Sequence, residues 1–329
     1  MNNSSDLSAT SYKTHSEYKA AEQIWIYMSP VLLFIGTVAN TLSIIVLLRK
    51  QMRSTTTMFY LTVLSFGDMM VLYTGLLRHW IKWAFHADIR VISQFSCKTH
   101  TFLVYFSLDF TTWVLVAVTV DRCIFVCLPF RAKTICTLKH AKIVVVCIAL
   151  VMTALNIHLF WSVAVEMELG ELGCAYMNDF TKFTWPWIDS CVFSIIPFNL
   201  MIIANIILIK HILMSQTRVA AHTQHGESDV QQSNVHSKHR KVTSVTTMLL
   251  TTNCMFLALT LPIAIYLIVY PNKIQDATDH GTAVLELIWA IANMLQYTNN
   301  TIHFFLYCLT GPRFRQEILK IFKLKAMST

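Results

Sequence analysis

Charged residues are scarce in this sequence. Asp, Glu, Lys and Arg make up 13% of its 329 residues, against about a quarter in an ordinary soluble domain. Hydrophobic residues make up 55%, and the mean hydropathy is +0.51. These charged residues are too few for the surface of a soluble protein. The composition therefore excludes a soluble globular protein and predicts an integral membrane protein.

Sequence patterns of the common enzyme classes are also absent. There is no HExxH, no GxSxG and no phosphate-binding loop, so catalysis is not expected. A transporter or channel is the main rival class, because it would also place carboxylates such as Asp68 and Asp109 in a membrane bundle. However, the repeated halves and broken helices typical of transporters are missing.

A cleaved signal peptide is missing as well. Residues 1–23 are polar and have no apolar core followed by a small-residue cleavage site, so the first apolar helix must act as the insertion signal. Glycosylation sequons begin at Asn2 and Asn3. They predict a terminus that reaches the extracellular side, although chance matches to so short a pattern are common.

The sequence has instead a series of apolar runs, each long enough for a transmembrane helix of roughly 20 residues. They occupy approximately residues 24–48, 58–78, 99–127, 141–163, 188–213, 245–270 and 283–309. Most connections are short, which favours antiparallel neighbours. We therefore predict an all-α fold, a seven-transmembrane helix bundle at 24–309, between an extracellular N-terminus at 1–23 and a cytoplasmic amphipathic helix and tail at 310–329.

The distribution of Lys and Arg predicts the orientation, because these residues tend to stay on the cytoplasmic side. With the N-terminus outside, 17 of the 26 basic residues fall inside and eight outside, and Arg122 is the remaining one. The predicted location is the plasma membrane. The net charge of +8 is then explained by contact with anionic membrane lipids, and no nucleic acid partner is expected.

Two of the nine cysteines are placed for a disulfide. Most of the others lie in or at the ends of apolar runs, where free cysteine behaves as a small hydrophobic residue. Cys97, at the outer start of the third helix, and Cys174, in the loop after the fourth, both face the oxidising side in this topology. We predict that they are bonded and hold the long outer loop across the mouth of the bundle.

The C-terminal segment predicts one further helix. Gly311–Pro312 interrupts the backbone, and the segment that follows is amphipathic. Its apolar face carries Phe314, Ile318, Leu319 and Phe322, and its basic face carries Arg315, Lys320 and Lys323. This pattern is typical of a helix that lies on the inner membrane surface.

Ionisable residues inside membrane helices cost roughly 2.5–3.5 kcal/mol each, so each needs a partner or a wet cavity. Asp68 has two interpretations: a neutral, hydrogen-bonded carboxyl group in a polar core, or a cation site shared with Thr111 and Asn299. Asp121–Arg122 lies at the inner end of the third helix. The simplest interpretation of this pair is that the Arg122 side chain reaches into the lipid headgroups.

Short motifs along the chain occur in a familiar order and spacing. They are GTVAN at 36–40, LSFGD at 64–68, Trp83 in the first outer loop before Cys97, DRC at 121–123 followed by Pro129, Pro197, Phe256 with Pro262, and FFLY at 304–307. Each fragment is weak alone, but together they resemble the rhodopsin-like (class A) G-protein-coupled receptors.

This resemblance implies a receptor whose outer cavity binds an agonist and whose inner face opens, chiefly by movement of the sixth helix, to admit a heterotrimeric G protein. It also implies roles for single residues. Asp68 would hold an allosteric sodium ion, the one cofactor considered. The activation residues would be Asp121 and Arg122 facing the G protein, Tyr307 swinging inward, and Pro197, Phe256 and Pro262 in the transmission core.

The sequence departs from the family pattern at several of these places. Thr260 replaces the usual tryptophan two residues before Pro262, and His303 begins HFFLY where NPxxY is usual. Both side chains could be packed and hydrogen-bonded, or His303 could sense protons beside Asp68. Residues 238–244 are basic where some relatives have an acidic partner for the helix-three arginine, so we expect a weakly held inactive state.

The ligand is predicted mainly by exclusion. Val104 stands where amine receptors of the family carry aspartate, and Tyr297 stands where opsins carry the retinal lysine. The sequence is similar to invertebrate neuropeptide receptors of the FMRFamide and thyrotropin-releasing-hormone type, which favours a small peptide; the alternative is a non-amine small molecule or lipid.

Acidic outer residues would steer a basic peptide, or they form an ordinary solvated face. They are Glu166, Glu168, Glu171, Asp179, Asp276 and Asp279.

Overall fold

The computed structural model describes residues 11–168, 171–223, 229–274 and 276–326, with all their side chains except those of 168, 171, 215–223, 229–245, 271–272 and 322–326. Several predicted features lie outside these described residues and side chains. They are the glycosylation sites Asn2 and Asn3, the side chains of Glu168, Glu171, Phe322 and Lys323, and the basic segment 238–244.

Seven long helices form a bundle, and one shorter helix follows it. They are α1 (Ser16–Leu47), α2 (Thr56–Phe85), α3 (Gln94–Cys127), α4 (Leu138–Ser162), α5 (180–223), α6 (Asp229–Ile274), α7 (Asp279–Thr310) and α8 (Pro312–Ala326). A short helical turn at Tyr12–Thr14 precedes α1, and two others, at Ile89–Ile92 and Pro129–Ile135, lie between the long helices. The predicted helical bundle is confirmed.

Several helices extend beyond the predicted apolar runs. α1 begins at Ser16, inside the segment predicted as an extended polar terminus, and α2 continues to Phe85. As a result, Trp83 lies in the last turn of α2 and not in the first outer loop, and its ring contacts that of Tyr18 at 5.6 Å. An apolar window detects only the part of a helix that meets lipid, so it misses polar turns beyond the membrane.

Hydroxyl side chains begin four of these helices. Thr55, Ser93, Thr137 and Thr278 each accept a hydrogen bond from the backbone amide three residues further on, at 3.0–3.4 Å. Residues of this type satisfy amides that have no partner within the helix. The sequence therefore sets where α2, α3, α4 and α7 begin.

Six helices in the described part of the chain, α1 to α6, are long and apolar enough to cross a membrane. α7 is also long, at 32 residues, but it carries many buried polar side chains. They include Asn293, Gln296, Asn299, Asn300, Thr301 and His303. These residues face the other helices rather than lipid, which lowers the mean hydropathy of α7 without exposing polar groups to the bilayer.

A β-hairpin covers the end of the bundle that we call the outer end; α8 lies at the inner end. Strands β1 (Val163–Glu168) and β2 (Glu171–Tyr176) are antiparallel, with Val165 opposite Cys174. The predicted Cys97–Cys174 disulfide is confirmed and ties β2 to the first turn of α3. The Gln94 side chain also bonds both backbone groups of Val165, at 2.9 and 3.1 Å. The sequence analysis did not predict this hairpin.

The C-terminal helix α8 packs back onto the bundle. The chain turns at Gly311, whose amide donates to the Tyr307 carbonyl at 2.9 Å, and Phe314 is buried against the Tyr307 ring. Glu317 is buried between Arg49 at 3.0 Å and Lys320 at 2.6 Å. The predicted amphipathic helix is therefore present, and an ion pair to the inner end of α1 helps to hold it.

Close contact between α2 and α3 depends on Gly67. A Cβ atom at this position would overlap the Cγ2 atom of Thr111 on α3. Thr111 is β-branched and donates to the carbonyls of Ser107 and Leu108 in its own helix, so it has few ways to move aside.

Replacing Gly67 with alanine is therefore expected to lower the free energy of unfolding by about 1–3 kcal/mol through overpacking. The measurement is thermal melting of the purified protein in detergent. Gly281→Ala is the matched control, because a Cβ atom there would meet Thr278 Oγ1 at 3.4 Å and Ala277 Cβ at 3.5 Å, which are ordinary contact distances. Equal melting temperatures for the two variants would contradict a tight α2–α3 contact at Gly67.

Candidate functional site

At the inner end, Asp121 and Arg122 form a buried pair. Arg122 Nη2 donates to Asp121 Oδ2 at 2.6 Å and to Thr56 Oγ1 at 3.1 Å, and Thr56 Oγ1 donates to Asp121 Oδ2 at 2.8 Å. The Arg122 guanidinium also lies 4.5 Å from the centre of the Phe125 ring. Arg122 therefore does not reach into the headgroup region in this conformation, contrary to the simplest interpretation of the sequence.

In the middle of the bundle, Asp68 joins α2 to α7. Its Oδ1 accepts from Asn300 Nδ2 at 2.8 Å, and its Oδ2 lies 2.7 Å from His303 Nδ1. Asn40 on α1 donates to the Asn300 carbonyl at 2.9 Å. Both carboxylate oxygens of Asp68 are thus engaged by α7, and Asn300 connects α7 to α1 as well as to α2.

A small cavity of about 10 Å³ lies beside Asp68, room for one water molecule or one small ion. Thr111 and Asn299 line it together with Asp68, so the structure brings the three residues of the predicted cation site to one place. Thr111 Oγ1 donates within its own helix, whereas Asn299 Oδ1 is buried and has no hydrogen-bond partner among the residues that the structure describes.

One residue of the predicted transmission core, Phe256, lines this small cavity, whereas Pro197 and Pro262 do not. Thr260 lines it as well, and the Phe256 ring packs edge-on against Phe198, next to Pro197, at 5.6 Å. Thr260 Oγ1 donates to the Phe256 carbonyl at 2.5 Å, so Thr260 is packed and hydrogen-bonded as expected. Tyr307 is fully buried, and its hydroxyl has no partner among the described residues.

A further set of polar contacts holds α6 to the bundle, between the Asp68 cluster and the Asp121–Arg122 pair. Asn253 Nδ2 donates to Thr119 Oγ1 on α3 at 3.0 Å and to Asn205 Oδ1 on α5 at 2.9 Å. All three side chains are buried. Asn205 stands where the family often has tyrosine, and this triad gives it a definite role.

A wider outer cavity of about 240 Å³ lies between α2, α3, α5, α6, α7 and the hairpin. Its charged and polar lining includes Arg78, Arg90, His100, Tyr105, Tyr176, Asp189, Asn293 and Gln296. Val104 and Tyr297 line it as well, at the positions that the sequence analysis singled out for the ligand. Leu108, Phe193 and Gln296 line both cavities, so a single layer of side chains separates them.

The model of one protein family matches this chain: the seven-transmembrane receptors of the rhodopsin family, over residues 39–307. The chain belongs to that family. Its members are receptors, so the receptor fold expected from the motifs is confirmed, and the outer cavity, the central Asp68 cluster and the Arg122 pair lie in one membrane-embedded receptor domain.

Asp109 takes no part in either cavity of the receptor. Its Oδ2 accepts from Asn156 on α4 at 2.8 Å, so it serves the packing of α3 against α4. The sequence analysis missed two groups that the structure makes prominent: the Asn253 triad and Arg78. Both could have been suspected, because each places a strongly polar side chain within or beside an apolar run.

Loss of the Asn253 triad is expected to raise basal signalling. Asn253→Ala removes the hydrogen bonds from Asn253 Nδ2 that hold α6 against α3 and α5. Each is worth about 0.5–1.5 kcal/mol, so the small open population should rise roughly fivefold or more. Basal second-messenger output at matched surface expression is the measurement.

The matched control is Asn199→Ala, since Asn199 bonds only the Ile195 carbonyl of its own helix. Basal output from Asn253→Ala that equals the output of this control would show that the triad does not hold the inactive state.

Proposed function

We propose that this receptor sits in the plasma membrane with its N-terminus outside, responds to an extracellular peptide and activates heterotrimeric G proteins. The observation that carries the proposal is the arrangement of the two cavities. A ligand in the outer cavity would press on Leu108, Phe193 and Gln296, and these residues also contact the space beside Phe256 and Asp68. Ligand binding can therefore bias α6 and α7 through one layer of side chains.

The lining of the outer cavity favours a short peptide over a purely apolar ligand. Hydrogen-bonding side chains from α2, α3, α5 and α7 converge on it, and Tyr105 and Tyr176 share a hydrogen bond of 2.7 Å in its wall. A peptide end offers backbone donors and acceptors to such groups. The hairpin tied at Cys97 and Gln94 leaves the cavity partly covered.

The inner end provides the second half of the mechanism. Arg122 is held by Asp121 and Thr56 in this conformation, so it is unavailable to a cytoplasmic partner. Opening of the inner face would have to break these contacts. A ligand with higher affinity for the open state would supply the difference in free energy.

Calcium mobilisation tests this proposal. Cells that carry the receptor and a promiscuous G protein are challenged with a library of short amidated peptides. We expect a dose-dependent response that Arg122→Ala abolishes at equal surface expression, because the mutation removes the group that faces the G protein. Arg131→Ala is the control, since Arg131 is an exposed basic residue of the neighbouring inner turn.

Two results would contradict parts of the proposal. Silence to all peptides at verified surface expression would move the ligand to a small molecule or lipid. A full response from Arg122→Ala would remove this arginine from the coupling mechanism.

We also infer that Asp68, Thr111 and Asn299 can hold a sodium ion only in competition with His303. The small cavity has the right size, and the free Asn299 Oδ1 is a suitable oxygen ligand. However, His303 Nδ1 already occupies Asp68 Oδ2. An ion would have to displace this contact or share the carboxylate with it.

Sodium should therefore stabilise a His303→Asn variant more than the natural receptor. Melting temperatures in 150 mM sodium chloride and 150 mM choline chloride are compared; we expect a difference of about 2 °C or more for the variant and less for the natural sequence. The double variant Asp68→Asn with His303→Asn should show none. No sodium effect in any of the three proteins would contradict the site.

A further inference from the structure

The α2 side of the outer cavity carries an excess of positive charge. Arg78, Arg90, His79 and His100 all line this part of the cavity, and the acidic residue next to them is Asp88. The outer acidic residues predicted to steer a basic peptide, such as Glu166 and Asp179, do not line it. The charge on this wall of the cavity is thus opposite to the charge expected from the loops, and the acidic lining residue, Asp189, belongs to α5.

Asp88 is hydrogen-bonded to Arg90 and compensates the charge of Arg78 only through a long ion pair. Arg90 Nε donates to both carboxylate oxygens of Asp88 at 3.1 Å, and its Nη2 donates to Oδ2 at 2.6 Å. Burial alone would raise the pKa of Asp88, but the bonds and charge of Arg90, with help from Arg78, lower it to about 2, so Asp88 is ionised. Arg78 approaches this carboxylate no closer than 4.0 Å, beyond hydrogen-bond distance.

The remaining contact of Arg78 orients the guanidinium without neutralising it. Arg78 Nη2 lies 2.6 Å from His79 Nε2, and the His79 ring stacks on Trp25 with 4.4 Å between centroids. Because a guanidinium can only donate, His79 must be the acceptor and is therefore uncharged here. The stacked Trp25 fixes the imidazole and, through it, the direction of Arg78.

Two buried nitrogen atoms in this wall have no hydrogen-bond partner in the described part of the chain. They are Arg78 Nε and His100 Nδ1. Arg78 as a whole is only 9% exposed, so bulk water does not solvate its charge freely. A buried charge and buried polar atoms without partners are costly, and a ligand that supplies acceptors would remove that cost.

We propose that the outer cavity contains a carboxylate-binding subsite in which Arg78 is the anchor and His100 an additional contact. A planar carboxylate matches the guanidinium fork and offers the acceptors that both orphaned nitrogens lack. This inference rests on the outer cavity being the ligand site of the proposed receptor. The carboxylate could belong to a peptide, as its free C-terminus or an acidic side chain, or to a fatty acid.

The subsite can be tested without knowing the natural ligand. Benzoate and benzamide have nearly the same shape, and only benzoate carries the charge. We expect 10 mM benzoate to raise the melting temperature of the purified receptor by about 2 °C more than benzamide does. In Arg78→Gln this difference should disappear, and in Arg78→Lys, which keeps the charge but loses the fork, it should shrink.

Lys82→Gln is the matched control, because it removes one positive charge from the same helix at a residue that does not line the cavity. It should keep the benzoate effect. Equal effects of benzoate and benzamide on the natural receptor would overturn the subsite, even if Arg78→Gln does not fold. An equal loss of the benzoate effect in Lys82→Gln and Arg78→Gln would also overturn the subsite, since the overall positive charge of this region would then explain the result.

Two further arms distinguish the sources of the carboxylate. The calcium assay is repeated with each peptide in its free-acid form and with a saturated fatty-acid series. A response to free acids that is lost in Arg78→Gln supports a peptide carboxylate, and a response to fatty acids with the same loss supports a lipid. Responses only to amidated or uncharged probes, unchanged by Arg78→Gln, would overturn the subsite while leaving the proposed receptor function in place.

Discussion

The bilayer offers no hydrogen-bond partners, and the arrangement of this receptor follows from that constraint. Apolar helix faces gain little from one another in lipid, because lipid tails are equally apolar. Buried polar side chains, by contrast, must find partners on neighbouring helices. The cross-helix contacts that result are Asn40 with Asn300, Asp68 with Asn300 and His303, Asp109 with Asn156, Thr56 with Asp121, and Asn253 with Thr119 and Asn205. Together they link α1 to α7 in a definite register.

Two buried arginines, Arg122 and Arg78, differ in how fully other groups of the protein satisfy their charge. Arg122 has a carboxylate at 2.6 Å and a hydroxyl at 3.1 Å, so the inner end is electrostatically closed in this conformation. Within the described residues, Arg78 has a distant carboxylate and a neutral imidazole as its only polar contacts. Arginine thus forms a self-contained pair at one end of the bundle and leaves donors open to a ligand at the other.

Features that depend on averages along the chain could be predicted from the sequence. The apolar runs, the break at Gly311–Pro312 and the Cys97–Cys174 pair were correct, because hydropathy, backbone chemistry and topology determine them almost locally. The hairpin and the longer helix ends were not predicted, since they lie beyond the apolar windows. For Asn253 and Arg78, the sequence shows only that a polar side chain is buried; which helix it meets depends on the rotation of each helix about its axis.

The polarity of α7 has a consequence for how the receptor is made. This helix falls outside the set of six that are apolar enough to enter a membrane by composition alone in the described part of the chain. A segment with Gln296, Asn299, Asn300 and His303 at its centre gains little by leaving the translocation channel into lipid on its own. Its natural destination is the polar groove formed by α1, α2 and α6, which are synthesised earlier. We therefore expect membrane integration of α7 to be coupled to its packing against these helices, so that a defect at Asp68 or Asn40 would already impair biogenesis.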